Sequence, residues 1–182
     1  RSPPLTRLVL ERSTPKAGPE EGRHGFLPEE MIHIAERILR DVGLTVRFAR
    51  IILIFGHGST SMNNPHESAH DCGACGGGQG GPNARAIAEM LNDPRVRAAL
   101  KPRGIGIPAD TVFVGGMHNT ANDNLTFQDV DRVPATHQSE FDAACRAMQE
   151  AVIRNAHERA RRFGSAPLGL SPMAAKRHME GR

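Results

Sequence analysis

The chain has 182 residues, of which 38% are hydrophobic and 24% are charged. This length and composition are typical of a single folded domain, and they exclude a disordered or fibrous chain. The longest purely apolar run covers residues 51–55. A membrane-spanning helix needs roughly 20 apolar residues, so we expect no segment that crosses a bilayer.

Positive charge is concentrated at the C-terminal end of the chain. The net charge is +3, but residues 146–182 hold 8 Lys and Arg residues against 3 Asp and Glu residues. The chain has no Trp or Tyr and only 7 Phe, which leaves little aromatic surface on which bases can stack. We therefore predict no nucleic-acid partner.

The cysteines indicate the redox compartment of the protein, and the first residues indicate whether the chain is part of a longer polypeptide. Two of the 3 cysteines lie in one tetrapeptide, which is the wrong pattern for a secreted disulfide framework and favours a reducing, cytosolic compartment. The chain begins at Arg1 without an initiator Met or a secretory signal. We expect it to be part of a longer polypeptide.

The first half of the chain predicts a connecting segment, a helix and a strand. Residues 1–27 are rich in Pro, Gly and charge toward their end and are predicted to form an extended connecting segment. Apolar residues at helical spacing predict a helix over 28–42. The β-branched run 49–55 predicts a strand buried on both faces, and the glycine-rich segment 56–82 follows it.

The second half continues the alternation of helices and strands. Helices are predicted to begin at Pro82 and near Asp93, and a second buried strand covers 111–115. A long helix is predicted over 139–163, and 164–182 form a C-terminal extension. The predicted fold class is α/β, with a parallel sheet and flanking helices, and one half-domain over 28–163.

The glycine-rich segment holds the residues best suited to chemistry. His57 lies at the end of the first predicted strand, where open α/β sheets place their ligands, and Cys72 and Cys75 follow among glycines. Imidazole and thiolate ligands together favour Zn²⁺, which makes hydroxide available at neutral pH. The alternative is a glycine-rich turn that buries a thiol.

The same segment contains a literal metalloprotease pattern. His66, Glu67 and His70 match the arrangement in which two histidines one helical turn apart bind zinc and the glutamate acts as a base. That arrangement requires a sustained helix, and the glycines that follow leave room for barely two turns. A stand-alone zinc hydrolase of this type is the first alternative hypothesis.

Two further readings of the glycine-rich segment have weaker support. Cys72 and Cys75 form a Cys-x-x-Cys pair, but a redox pair favours a helix beginning at the first thiol, and glycines follow here instead. The order of strand, glycines and helix resembles a phosphate-binding loop. The Gly-Lys-Ser/Thr and Gly-x-Gly-x-x-Gly signatures are both missing, so that signal is weak.

Residues after the second strand are candidates for a pocket at the same sheet edge. If the two strands are neighbours, His118 and Asn119 reach the edge at which His57 lies, where they shape a pocket or order water. The alternative is a capped loop in which His118 satisfies backbone groups. Arg85, at the start of the helix after the loop, is a candidate source of positive charge.

The remaining acidic and thiol side chains have simpler interpretations. Asp123, Asp129 and Asp131 are predicted to be solvated turn residues rather than metal ligands. Cys145 falls on the apolar side of the long predicted helix, so we interpret it as a packing residue.

Four segments of the sequence resemble a known family. Residues 56–65 read Gly-His-Gly-Ser-Thr-Ser-Met-Asn-Asn-Pro, 71–77 read Asp-Cys-Gly-Ala-Cys-Gly-Gly, 80–85 read Gly-Gly-Pro-Asn-Ala-Arg and 118–120 read His-Asn-Thr. These motifs resemble the DabA family of bacterial inorganic-carbon transporter subunits. The resemblance extends over most of 28–163.

The resemblance implies a fold, a metal and a set of partners. DabA proteins are similar to β-class carbonic anhydrases, with a zinc held by Cys, Asp, His and Cys. They act with a membrane subunit of the DabB type, at the cytoplasmic face of the bacterial inner membrane, as peripheral proteins. The pair is thought to couple an ion gradient to the conversion of CO₂ into bicarbonate.

On this chain the resemblance implies two zinc ligands, His57 and Cys72, with Cys75 as a neighbour. The upstream Cys-x-Asp-x-Arg motif of the family has no counterpart here, because no Cys precedes Cys72. The β-carbonic-anhydrase-like site is therefore expected to be incomplete in this chain, with zinc-hydroxide attack on CO₂ only in the complete protein. The basic C-terminal tail permits a further alternative, a docking module with no chemistry.

Overall fold

The computed structural model describes residues 6–60, 71–72 and 75–180. The chain is divided into two compact units. The first consists of residues 1–52 and 86–113, and the second of residues 53–85 and 114–182.

The described residues alternate helices and strands, as predicted for an α/β protein. In chain order the elements are α1 (Pro28–Asp41), β1 (Ile51–Gly58), α2 (Gly81–Asn92), α3 (Pro94–Leu100), β2 (Val112–Asn119), β3 (Leu125–Phe127), α4 (Gln138–Ala160) and α5 (Pro172–Glu180). Short 3₁₀ turns cover Lys101–Arg103, Val130–Arg132 and Ala135–His137.

The predicted helices are confirmed, with small differences at their ends. Helix α1 begins at Pro28, and the carboxylate of Glu30 accepts a hydrogen bond from Leu27 N at 2.8 Å, which caps the first turn. The predicted 139–163 helix ends earlier, at Ala160. Phe163, which we expected on the buried side, is 42% exposed because the chain leaves the α-helix through a tight turn in which Phe163 N bonds Ala160 O.

The sheet has the order β1-β2-β3 and is mixed. Val112 N donates to Arg50 O at 2.7 Å and Thr120 N donates to Gly58 O at 2.8 Å. Because both bonds join residues 62 apart in sequence, β1 and β2 are parallel. The prediction of a parallel sheet is wrong for β3, which pairs with β2 antiparallel. The short turn between β2 and β3 permits only a hairpin connection.

The parallel ladder fixes the register of β1 and β2. A residue that donates its N–H to position i−1 of the neighbouring strand lies opposite position i. The bond from Thr120 N to Gly58 O therefore sets His118 opposite His57, and Gly116 opposite Phe55. A Cβ added to Gly116 would lie 2.8 Å from the Phe55 ring, which agrees with this register.

Each unit has its own core. In the first unit α1 packs against α3, and the side chains that are almost fully buried there include Met31, Ala35, Leu39, Met90, Leu91, Val96, Leu100, Ile105, Thr111 and Phe113. In the second unit α5 packs against α4, and their shared cluster consists of Ala156, Ala160, Ala166, Ala175 and Met179. Helix α5 lies inside the predicted 164–182 extension, for which we predicted no helix. None of the described helices is both long enough and apolar enough to span a membrane.

Candidate functional site

The carboxyl end of β1 lies against the glycine-rich loop. Gly80 N donates to His57 O at 2.7 Å, so the loop pairs with the outer edge of the strand. A Cβ added to Gly56 would lie 1.9 Å from Gly80 O, and one added to Gly58 would lie 3.0 Å from an oxygen of Asp71. Glycine is therefore required at Gly56, because any side chain there would displace the loop.

Cys72 is buried, with 5% of its surface exposed, inside a hydrogen-bonded turn. Cys72 N donates to Gly78 O at 3.1 Å, and Gly77 N donates to Cys72 O at 3.0 Å. Gly77 adopts a φ of 86°, a conformation that side chains rarely accept. The glycines thus let the backbone wrap tightly around the thiol, as the sequence predicts.

Cys75 lies close to Cys72. Hydrogen bonding to the Cys72 thiol, with a further contribution from burial, raises the pKa of Cys75, while Asn83 Nδ2 donates to its sulfur at 3.3 Å. In a redox-active pair the lowered pKa belongs to the first thiol, and Cys72 holds that position here, so the raised pKa of Cys75 does not bear on that reading.

A hydrogen bond joins the two segments that hold His57 and Cys72. Ser59 N donates to Asp71 Oδ1 at 2.7 Å, which connects the residue two beyond His57 with the residue just before Cys72. Strand alternation directs the exposed His57 side chain to the face opposite Gly56 and Gly58. The hydrogen bond brings the two backbone segments together, but Asp71 contacts the Gly58 face of β1 and the His57 side chain points to the other face. The sharing of one ion by His57 and Cys72 stays a prediction.

A larger group of candidate metal ligands is not evident in the part of the chain that the structure describes. Within residues 6–60, 71–72 and 75–180, no three His, Cys, Asp or Glu side chains form a group that holds a metal. An ion bound by His57 and Cys72 would take its other ligands from elsewhere. His66, Glu67 and His70 lie outside the described residues, so the hydrolase hypothesis remains untested.

The end of β2 reaches the segment that follows β1, as predicted. Asn119 Nδ2 donates to Thr60 Oγ1 at 2.7 Å, and Thr60 N donates to Asn119 Oδ1 at 3.2 Å. Thr120 Oγ1 donates to Gly58 O at 3.2 Å. These bonds fix the two strand ends side by side, so residues from both strands contribute to one edge of the sheet.

Asp123 corrects one of the sequence predictions. It is 5% exposed rather than solvated, and it adopts a left-handed φ of 61° in the turn after β2. One carboxylate oxygen accepts from Arg159 Nη1 at 2.6 Å and from Asn155 Nδ2 at 2.9 Å, and the other lies 3.2 Å from His118 Nε2. The sequence does not predict that Asn155 and Arg159 contact Asp123. Their four-residue spacing on α4 is the only feature of the sequence that suggests a shared partner.

Arg85 and Asp129 form a second ion pair. Arg85 Nε and Nη2 each donate to a different oxygen of Asp129 at 2.6 Å. Asp129 is therefore a half-buried partner rather than a solvated turn residue, and it neutralises the charge that we considered for the site. Asp131 is exposed, as predicted.

Cys145 is half-buried on α4 and borders a cavity of about 370 Å³ beside β3 and α5. Burial is the main factor that raises the pKa of its thiol. This position agrees with the interpretation of Cys145 as a packing residue.

Comparison with known proteins identifies the family of this chain. The model of the family described as "Probable inorganic carbon transporter subunit DabA" matches residues 1–182. The chain belongs to the DabA family.

Relatives in several bacteria cover nearly the whole chain. A protein of Rhodopirellula baltica named "Probable inorganic carbon transporter subunit DabA 2" is 50% identical over 180 residues, which cover 99% of this chain and 17% of the relative. The similarly named "Probable inorganic carbon transporter subunit DabA" of Dechloromonas aromatica is 48% identical over 97% of this chain and 18% of its own length. The chain thus spans less than a fifth of the length of these relatives. No solved structure matches it.

Proposed function

We propose that this chain is the zinc-binding part of an energy-coupled pump subunit that converts CO₂ into bicarbonate. The observation that carries this proposal is the contact between the end of β1, which holds His57, and the turn that holds Cys72. Membership of a family of inorganic carbon transporter subunits supports the substrate, inorganic carbon. The upstream part of the complete protein supplies the remaining ligands of a β-carbonic-anhydrase-like site.

The chemistry of the two side chains fits zinc. Structural and catalytic zinc sites use imidazole nitrogen and thiolate sulfur, and Cys72 offers its sulfur from a turn whose backbone is already fixed by hydrogen bonds. When bound, zinc lowers the pKa of water to about 7, which supports CO₂ hydration at neutral pH. His57 and Cys72 would hold the ion.

The surrounding residues hold the site in place. Asp71 accepts the hydrogen bond of Ser59 N, which fastens the Cys72 turn to the end of β1. Asn119 and Thr60 fasten the ends of β1 and β2 to each other. Arg85 lies near the start of α2 and is bound to Asp129, which follows β3, so the pair connects these two segments rather than supplying charge to the site.

A membrane subunit of the DabB type is the proposed partner, and the complex is proposed to lie at the cytoplasmic face of the bacterial inner membrane. The word "transporter" in the names of the relatives supports an association with a membrane. Peripheral attachment through a partner suits a chain in which no described helix can span a bilayer.

Removal of the Cys72 thiol tests this function. In the complete protein with its membrane partner, Cys72→Ala is expected to abolish both zinc binding and the uptake of ¹⁴C-labelled inorganic carbon. Cys145→Ala is the matched control, because Cys145 lies on α4 in a packing position. Unchanged zinc content and unchanged uptake in Cys72→Ala would refute the proposal.

A further inference from the structure

The loop between α4 and α5, residues 161–171, is fixed by hydrogen bonds and by packing. Phe163 N donates to Ala160 O at 3.1 Å, and Ala166 N donates to Phe163 O at 3.0 Å. Ala166 is 8% exposed and belongs to the alanine-rich cluster between the two helices, against which Leu170 also packs. The backbone bonds and this anchor hold the α4–α5 loop in a defined conformation.

The large apolar side chains of this region lie in solvent, whereas small ones fill the cluster. Leu168 is 87% exposed, Met173 is 49% exposed and Phe163 is 42% exposed. The cluster between the helices is made mostly of alanines. Burial of large apolar side chains is favourable, and apolar side chains exposed close together mark interaction sites. Three of them within residues 163–173 therefore indicate a surface that a partner covers.

The charge of the same region is positive throughout. Residues 159–179 contain no Asp or Glu. The cations near the exposed apolar side chains are Arg161, Arg162, Lys176 and Arg177. Arg162 remains 75% exposed in its 3.6 Å ion pair with Glu158. Lys176 is half-buried and donates to Asn124 Oδ1 at 3.3 Å, so the exposed cations are the three arginines. A partner of this surface must carry negative charge.

An anionic phospholipid surface fits both properties. Cations beside exposed apolar side chains are typical of segments that lie at a membrane surface, where the apolar groups enter the boundary between headgroups and acyl chains. Lys and Arg side chains are attracted there by the negative headgroups. The charge alone would also fit an acidic protein surface, but Leu168 is exposed far enough to enter a lipid layer.

We propose that the α4–α5 loop and the start of α5 dock directly on the anionic phospholipids of the membrane. The three exposed apolar side chains enter the headgroup boundary, and the three exposed arginines contact lipid phosphates. This contact adds to the attachment through a membrane subunit. The inference rests on the proposed location of the complex at the membrane and is independent of the zinc site.

The test measures flotation of the complete protein, purified without its membrane subunit, with lipid vesicles. Vesicles of phosphatidylcholine alone are compared with vesicles of equal parts phosphatidylcholine and phosphatidylglycerol. The variants are the double substitution Arg161→Gln with Arg162→Gln, and the single substitution Leu168→Ser. The matched controls are Arg154→Gln, at an exposed arginine in the middle of α4, and Val46→Ser, at an exposed apolar residue of the first unit. Zinc per protein is measured for every sample.

Wild type is expected to float with the phosphatidylglycerol vesicles and not with phosphatidylcholine alone, and high salt should release it. Each cation at an anionic membrane contributes a factor of about five, so the double arginine variant should bind roughly 30-fold more weakly. Leu168→Ser should bind about tenfold more weakly, because one apolar group no longer enters the lipid. Both controls should bind like wild type, and zinc should be unchanged in every variant.

Two results would overturn the proposal. The first is a wild type that does not float, or that floats equally with both kinds of vesicle. The second is binding to phosphatidylglycerol vesicles that neither variant weakens. If the variants keep lipid binding and instead lose co-purification with the membrane subunit, the surface contacts a protein and the lipid proposal is wrong. A wild-type protein without zinc would refute the proposed function and leave the flotation result unaffected.

Discussion

Asp123 and Arg159 are 36 residues apart in sequence and form an ion pair of 2.6 Å in which the Asp123 side chain is 7% exposed. The pair connects the turn after β2 with α4, and it also orients His118 through the second oxygen of the carboxylate. A single ion pair therefore links the packing of the second unit to the geometry of the candidate site.

Loss of the guanidinium from this pair is expected to destabilise the chain. Arg159→Met leaves the buried Asp123 carboxylate without its cation, and we expect the free energy of unfolding to fall by about 2 to 3 kcal/mol. The expected loss of unfolding free energy is at or below the usual cost of breaking a buried ion pair, because the Arg159 side chain is 30% exposed and water screens part of the interaction. Arg154→Met is the control, since Arg154 and Glu150 are largely exposed, and should cost less than about 0.5 kcal/mol. Equal effects in urea unfolding would contradict the account.

The close approach of the glycine-rich loop to β1 leads to a second prediction, about the stability of a variant at Gly56. Gly56→Ala places a methyl group 1.9 Å from Gly80 O, so the backbone must move, and we expect a loss of about 3 kcal/mol or more in unfolding free energy. Gly106→Ala is the matched control, because an added Cβ there meets nothing within 4 Å. If thermal unfolding shows the two variants to be equally stable, the loop does not pack against β1 as described.

The pair of Arg12 and Glu30 predicts a pH dependence of stability. Hydrogen bonds from Arg12, and then from Leu27 N, lower the pKa of Glu30 below its ordinary value of about 4.3. A lowered pKa in the folded state means that the stabilisation is fully present above that ordinary value and is lost as the pH falls through the folded value. Glu30→Gln should therefore be less stable than wild type at pH 7, and the difference should shrink in acid. A difference that is constant from pH 7 to pH 3 would contradict this.

Cys145 makes a prediction about thiol reactivity. Burial raises the pKa of its thiol, so less of the reactive thiolate is present at pH 8. Alkylation of Cys145 is expected to be several-fold slower than that of a cysteine introduced at the exposed position Ala147 on the same helix. Peptide-level mass spectrometry measures both rates in one Ala147→Cys sample, whose peptides also separate Cys72 and Cys75 from the two sites compared. Equal rates would show that Cys145 is not shielded.

Local sequence patterns predict most of the helices and strands. Helix α1 agrees with its apolar spacing, and β1 and β2 overlap the predicted strands 49–55 and 111–115. Both strands continue further, to Gly58 and Asn119. The prediction that the first strand is buried on both faces is wrong, because β1 is mostly half-buried. Strand β3 was missed because three residues give too short a pattern, and its pairing depends on a turn. Helix α5 was missed because its stability comes from packing on α4.

Only part of the candidate site can be predicted from the sequence. The position of His57 at a strand end and the tight glycine turn around Cys72 follow from local patterns. The burial of Asp123 does not, because the residues that bury and pair it lie on α4, more than 30 positions away. Long-range ion pairs leave no periodic signal in a single sequence, so an aspartate in a turn is read as solvated.

The central claim, that His57 and Cys72 hold one zinc ion, is tested most directly by X-ray absorption spectroscopy at the zinc edge of the complete protein. The account predicts sulfur scatterers at about 2.3 Å and an imidazole nitrogen at about 2.0 to 2.1 Å from the zinc. Cys72→Ala should remove one sulfur from this shell or release the metal, and His57→Ala should remove the imidazole. A zinc shell identical to wild type in both variants would contradict the account.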